Sequence, residues 1–219
     1  MRFTKTLLTT ALFGASVFSF HSTAWADTLV QQYEQGLTAY KQSDYQTAFK
    51  LWLPLAEQGD AIVQNLVGAM YEEGAGVKRD YVEAVKWYRQ AAEQGYPLAQ
   101  NQLGLAYSTG RGVKRDDVEA VKWYRKAAKM QYADAQLNLG NMYVNGRGVK
   151  QDDFEAVKWF KKAAENDSAN GQFKLGLAYL IGVGIQKDRT LAKEWLGKAC
   201  NNGEQEGCEY YGKLNRGEL

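Results

Sequence analysis

The chain has 219 residues, 45% hydrophobic, 24% charged and 13% aromatic, with two prolines, two cysteines and a single histidine. That balance excludes a disordered, collagen-like or membrane-spanning protein and fits a soluble globular or repeat protein. The formal charge of +2 invites a weakly basic reading of the whole chain.

At the start of the chain, Arg2 and Lys5 flank the beginning of an apolar stretch, Leu7 to Phe20, and Ala24-Trp25-Ala26 places small residues at positions minus three and minus one of a cleavage site. Residues 1–26 read as a bacterial secretory signal peptide cut before Asp27. The apolar stretch is short of the ~20 residues of a membrane span, and no cysteine near the cut offers a lipid anchor. The expected compartment is the periplasm, with full secretion as the alternative and no membrane span after cleavage. Loss of Arg2 and Lys5 leaves 27 − 2 = 25 basic against 25 acidic residues, so the mature chain is neutral. His21 leaves with the leader, which removes histidine zinc sites, Ser-His-Asp triads and Cys-His dyads.

Residues 27–60 follow as an N-terminal helical hairpin. The unit from Gly36 to Gly59 keeps an aromatic and alanine pattern, but Gly36 and Gly68 are 32 residues apart, four fewer than the later interval. From residue 61 to 204 a 36-residue period takes over: Trp87, Trp123, Trp159 and Trp195 recur at that interval, as do Gly68, Gly104, Gly140, Gly176 and Gly212. Such self-similarity signals stacked helical hairpins. Each unit reads as two helices: Ala99, Leu103, Gly104, Ala106 and Tyr107 exemplify one face of a first helix, and Ala84, Trp87, Tyr88, Ala91 and Ala92 one face of a second. The Trp column is expected in the core. Gly74, Gly110, Gly146 and Gly182 suit helix C-termini, each with another glycine two residues on. Asp80, Asp116 and Asp152 suit N-caps, with Glu83, Glu119 and Glu155 completing a carboxylate capping box; Asp188 keeps the cap while Leu191 replaces the glutamate. Residues 205–219 are expected to form a capping helix and tail.

The pattern of LG, AxxY, GxGV, D, A, WY, AA and G over about residues 61–215 resembles the Sel-one-like repeats, relatives of the tetratricopeptide repeats. The hairpin at 27–60 is tetratricopeptide-like. The resemblance implies an all-α fold, a right-handed α/α superhelical solenoid of helix-turn-helix repeats, and a role as adaptor or scaffold. For exported members it also implies host interaction or regulation of envelope and cell-wall enzymes.

Cys200 and Cys208 fall at the end of the last second helix and in the following helix. An even cysteine count in an exported chain favours a disulfide, here a clamp on the terminal unit. Their spacing resembles the bridge of the cysteine-rich subgroup of the family, but the earlier copies carry Ala92, Ala128 and Ala164 at the first position and Gln100, Gln136 and Gln172 at the second.

No catalytic, cofactor-binding or metal-binding residues emerge. The GxGV segments lack the third glycine of a dinucleotide loop and follow no strand. The mature serines, Ser43, Ser108 and Ser168, are followed three residues later by Gln46, Arg111 and Gly171, so no SxxK nucleophile exists. Asp116-Asp117 and Asp152-Asp153 suit helix starts. Lys86, Lys122 and Lys158 each follow a glutamate by three residues, as pairs on a solvated face; no nucleic-acid partner and no cofactor are expected. What varies between copies is the first helix, which in related superhelices lines the concave side. Leu66, Gln102, Asn138 and Lys174 share one column, and Ala69, Leu105, Asn141 and Leu177 another. These eight residues are the candidate groove for a protein or peptide partner. The alternatives are a β-lactam- or peptidoglycan-acting enzyme, by resemblance to the cysteine-rich subgroup, and a passive spacer.

Overall fold

The computed structural model describes residues 22–219. The expected leader therefore lies outside the described residues up to its last five, and the expected cut before Asp27 falls in the first helix. Eleven helices follow one another among the described residues: α1 (Ser22–Lys41), α2 (Tyr45–Glu57), α3 (Ala61–Glu73), α4 (Tyr81–Glu93), α5 (Pro97–Thr109), α6 (Asp117–Lys129), α7 (Ala133–Asn145), α8 (Asp153–Glu165), α9 (Ala169–Ile181), α10 (Arg189–Asn201) and α11 (Gln205–Arg216). Each packs against its neighbours in sequence, forming an all-α solenoid of five hairpins and a terminal helix. None of the described helices is long and apolar enough to cross a membrane.

The helix ends follow from local chemistry. Asp80 and Asp116 each accept from two backbone N–H groups of the first turn, and Asp152 and Asp188 from one. Gly74, Gly110, Gly146 and Gly182 close the first helices in the left-handed region, where only glycine is unstrained. The second half of the expected capping box does not form. Glu83, Glu119 and Glu155 pair with Lys86, Lys122 and Lys158 instead. The reason lies across the hairpin: the backbone N–H groups of Asp80, Asp116 and Asp152 already donate to the carbonyls of Tyr71, Tyr107 and Tyr143, so no free cap N–H awaits the glutamate.

Packing is set by small residues opposite large ones. A Cβ on Gly104 would lie 2.7 Å from the Tyr124 ring, and one on Gly140 would lie 2.5 Å from Phe160; glycine lets the second helix press its ring against the backbone of the first. Tyr88, Tyr124 and Phe160 are thus the deep aromatic column. The Trp column sits further out than its periodicity suggests. Trp123 is 7% exposed, while Trp87, Trp159 and Trp195 are half-buried and seal the seam to the preceding unit. Lys126, Lys162 and Lys198 lie 3.7, 4.3 and 4.1 Å from the ring centres of Trp123, Trp159 and Trp195. The polarity of the deep column also covaries along the chain. The Tyr88 hydroxyl donates to Glu72 at 2.7 Å, and the Tyr124 hydroxyl lies 3.1 Å from that of Ser108. Where the ring loses its hydroxyl at Phe160, or gives way to Leu196, the matching positions are Val144 and Leu180. Burial and the Glu72 carboxylate push the Tyr88 phenol far up, so it stays a donor.

A second polar seam joins each hairpin to the next. Gln64, Gln100, Gln136 and Gln172 donate to the carbonyls of Ala56, Ala92, Ala128 and Ala164 at 3.1, 3.1, 3.1 and 3.3 Å. Three of these glutamines also accept from an amide thirty residues on: Gln64 from Gln94, Gln136 from Asn166 and Gln172 from Asn202. Gln100 has Met130 at that place, and its buried Oε1 has no hydrogen-bond partner. Met130→Asn is therefore expected to raise the unfolding free energy by about 1 kcal/mol in urea melts, whereas Met130→Leu is not. An equal gain from both substitutions would contradict this account.

Candidate protein-binding groove

The first helices α3, α5, α7 and α9 stand side by side, and their order follows from the 36-residue period. Each buries one leucine or valine of its inner stripe completely: Val67, Leu103, Leu139 and Leu175 are 0% exposed. The positions just before and two after these residues are less buried, with Leu66 and Leu177 still packed against the core. Leu66 and Ala69 on α3, Gln102 on α5, Asn138 and Asn141 on α7, and Lys174 and Leu177 on α9 are half-buried, and Leu105 on α5 is exposed. Successive first helices also approach one another directly. α7 touches α9, and the Asn138 amide donates to Asn101 Oδ1 on α5 at 3.0 Å. The inner side of a curved stack is where neighbouring units come closest, and the eight residues hold two equivalent positions on successive first helices.

Arginines in the hairpin loops hold successive units in register. Arg147 donates to Asp117 at 2.6 Å and to the Ser108 carbonyl at 2.7 Å, and Arg115 reaches the same carboxylate at 2.8 Å. The hydrogen bonds from Arg147 and then Arg115 hold the Asp117 carboxyl down at about 2. One unit earlier, Arg111 bridges to Glu72 at 3.2 Å. The adjacent acids suggested by Asp116-Asp117 therefore divide their roles: Asp116 caps α6 and Asp117 anchors the next loop.

The chemistry of the face changes along the stack. Leu66, Ala69 and Leu105 make its N-terminal part aliphatic, Asn138 and Asn141 make its middle carboxamide, and Lys174 with Leu177 adds a cation beside a leucine. The Lys174 ammonium lies 5.6 Å from the Phe173 ring centre and forms no ion pair among the described residues. Carboxamides offer both donors and acceptors to a peptide backbone, and aliphatic side chains accept apolar ones. The columns continue into α11, which sequence reasoning did not include in the groove: Tyr210 follows Lys174 by the same 36 residues and packs 5.9 Å from Phe173, and Lys213 follows Leu177. The period itself carried that signal.

The cysteines are joined by a disulfide, with their Cα atoms 4.4 Å apart. They occupy the places where earlier hairpins have an alanine carbonyl and a glutamine amide, so a covalent bond stands where the other units have a hydrogen bond.

A solenoid of helical hairpins with a repeated core and a variable inner face defines the class of α/α repeat proteins used as interaction scaffolds. More narrowly, the chain belongs to the Sel1 repeat family: the Sel1 repeat matches residues 33–60, 61–96, 97–132, 133–168 and 169–204. The family match thus reaches into the N-terminal hairpin as well as the four 36-residue copies. Among solved structures, a Sel1 repeat protein from Oxalobacter formigenes is 36% identical, with a TM-score of 0.78 over 83% of this chain and 74% of the other. The protective antigen c5321 of uropathogenic Escherichia coli strains, which displays an SLR fold, is 33% identical, with a TM-score of 0.80 over 89% of this chain but only 42% of that longer one. Cysteine rich protein B of Helicobacter pylori is 25% identical, with a TM-score of 0.50 over 61% of this chain and 96% of its own. No curated protein matches the chain in sequence. Sel1 repeats usually mediate protein–protein contact, and proteins built from them are generally scaffolds without enzymatic activity.

Proposed function

We propose that this protein is an exported adaptor, periplasmic in the first instance, that holds a peptide segment or protein domain on the face built by α3, α5, α7 and α9. The observation that carries this reading is the contrast between columns. The residues that build the hairpin core repeat from copy to copy, whereas Leu66, Gln102, Asn138 and Lys174, half-buried at one equivalent position of successive first helices, are all different. A core position is constrained by packing and a free surface position is not, so accessible side chains of graded chemistry on rigid helices suit selective recognition. A role in envelope or cell-wall regulation, or in contact with a host, accords with the leader-like N-terminus and with the likeness to a protective antigen.

The test combines Lys174→Glu, Asn138→Asp and Gln102→Glu in one chain. Each residue lies off the buried core, so the helical fold should persist by circular dichroism. Crosslinking in the periplasm is expected to lose a specific partner that the unmodified chain recovers. Recovery of the same partners by both chains would instead mark the solenoid as a passive spacer.

A further inference from the structure

A second surface is formed by the first turns of the second helices. Val82, Val118 and Phe154 are the second residues of α4, α6 and α8, and they are 54%, 53% and 61% exposed. Large apolar side chains scattered singly over a surface need no explanation, but a recurrent row of them marks a contact face. Four residues before each stands an exposed lysine, Lys78, Lys114 or Lys150, and none of the three forms an ion pair among the described residues. The lysines one turn later differ, because Lys86, Lys122 and Lys158 are neutralised by Glu83, Glu119 and Glu155. The combination is confined to the three central hairpins. In the first hairpin the two positions are Gln42 and Gln46, and in the last they are Gln186 and Thr190, all four exposed. Lysine and apolar residue are therefore present together or absent together.

We propose that this edge docks an acidic, amphipathic polypeptide segment laid across α4, α6 and α8, with apolar side chains on Val82, Val118 and Phe154 and carboxylates on Lys78, Lys114 and Lys150. The neighbouring rows select a narrow occupant. A flat anionic lipid surface resting on this edge would also meet the Asp80, Asp116 and Asp152 carboxylates and would be repelled by them. A single helix or strand follows the lysine and apolar rows alone. The surface uses none of the eight groove residues, so either proposal can fail without the other.

The test is a selection of displayed random peptides of about 16 residues, a helix length of ~24 Å. Selection is made on the whole chain, with counter-selection on the Lys78→Glu, Lys114→Glu, Lys150→Glu variant. Groove binders bind both chains and are discarded. The retained peptides are expected to be rich in Asp and Glu beside Leu, Ile, Val or Phe and to weaken with salt. They should lose roughly tenfold or more in affinity on the lysine variant and on Val82→Ser, Val118→Ser, Phe154→Ser, both of which keep the melting temperature of the parent. Retained peptides without acidic enrichment, binding insensitive to both variants, or recruitment to phosphatidylglycerol vesicles in place of peptide would each overturn the proposal.

Discussion

Gly148→Ala is expected to destabilise the chain by about 3 kcal/mol or more, while Gly146→Ala, two residues earlier, costs only about 1 kcal/mol. Both glycines have positive φ, +67° and +62°, so both substitutions carry the left-handed penalty of ~1–2 kcal/mol. Their surroundings separate them. A Cβ on Gly146 would sit 3.3 Å from the Gln151 Cβ, a contact that a slight shift relieves. A Cβ on Gly148 would lie 2.0 Å from the Asp117 carbonyl oxygen and 2.9 Å from the Val118 nitrogen, which belong to the first turn of α6 and cannot move without unseating it. The same approach recurs at Gly76 on Tyr45, Gly112 on Tyr81 and Gly184 on Asp153, making the second glycine of each loop the point where one hairpin rests on the last. Urea unfolding of the two single variants measures the difference directly. Equal losses would show that backbone conformation alone explains both glycines and that the contact between units is soft.

These two glycines also show how far the sequence can be read. Their recurrence announced a turn, and the first of each pair is the helix end that local propensity implies. The close approach of the second is to a residue about thirty positions earlier, and no local pattern encodes that distance. The same limit applies to the glutamates after the N-caps. Spacing fits a capping box, but the Tyr71, Tyr107 and Tyr143 carbonyls that take the cap N–H groups first belong to another helix. For the tryptophans, helical periodicity identifies the inward face but not depth, and Tyr88 or Tyr124, one residue further on, proves the deeper neighbour.

Reduction of Cys200–Cys208 is expected to lower stability by about 2–3 kcal/mol on the chain-entropy estimate for so short a loop. The loss should be local, because α11 has a neighbour on one side only and ends the stack. Hydrogen exchange should rise in α11 and the end of α10, and not in α3 to α8. The replacement pair separates a clamp from a merely tolerated bond. Cys200→Ala with Cys208→Ala should match the reduced chain, whereas Cys200→Ala with Cys208→Gln restores the glutamine-to-carbonyl hydrogen bond that Gln100, Gln136 and Gln172 make, and should regain about 1 kcal/mol. Unchanged melting on reduction would sink the clamp. The pairing was legible from the cysteine count and the helix-turn-helix connection; that it substitutes for a hydrogen bond was not, although the aligned alanines and glutamines already marked the place.

The columns of the proposed groove were legible, because a 36-residue period fixes which residues share a row. What the sequence does not contain is the commitment of individual side chains. Asn138 spends one amide hydrogen on Asn101, and Tyr210 extends the face onto α11. The outer row of Val82, Val118 and Phe154 was invisible for a related reason: alternation of apolar and polar residues at a helix start looks the same whether the apolar side chain is buried or exposed.

The first-helix face is the proposed meeting place of this protein and its partner. A photo-crosslinking amino acid placed singly at Leu105, Asn141 and Leu177, and as controls at Gln90, Lys126 and Lys162 on the second helices, tests it in the compartment where the protein resides. One shared crosslinked species is expected from the three first-helix positions and none of it from the controls. The same species from Gln90, Lys126 and Lys162, or its absence from all three first-helix positions, would rule out this groove as the binding face.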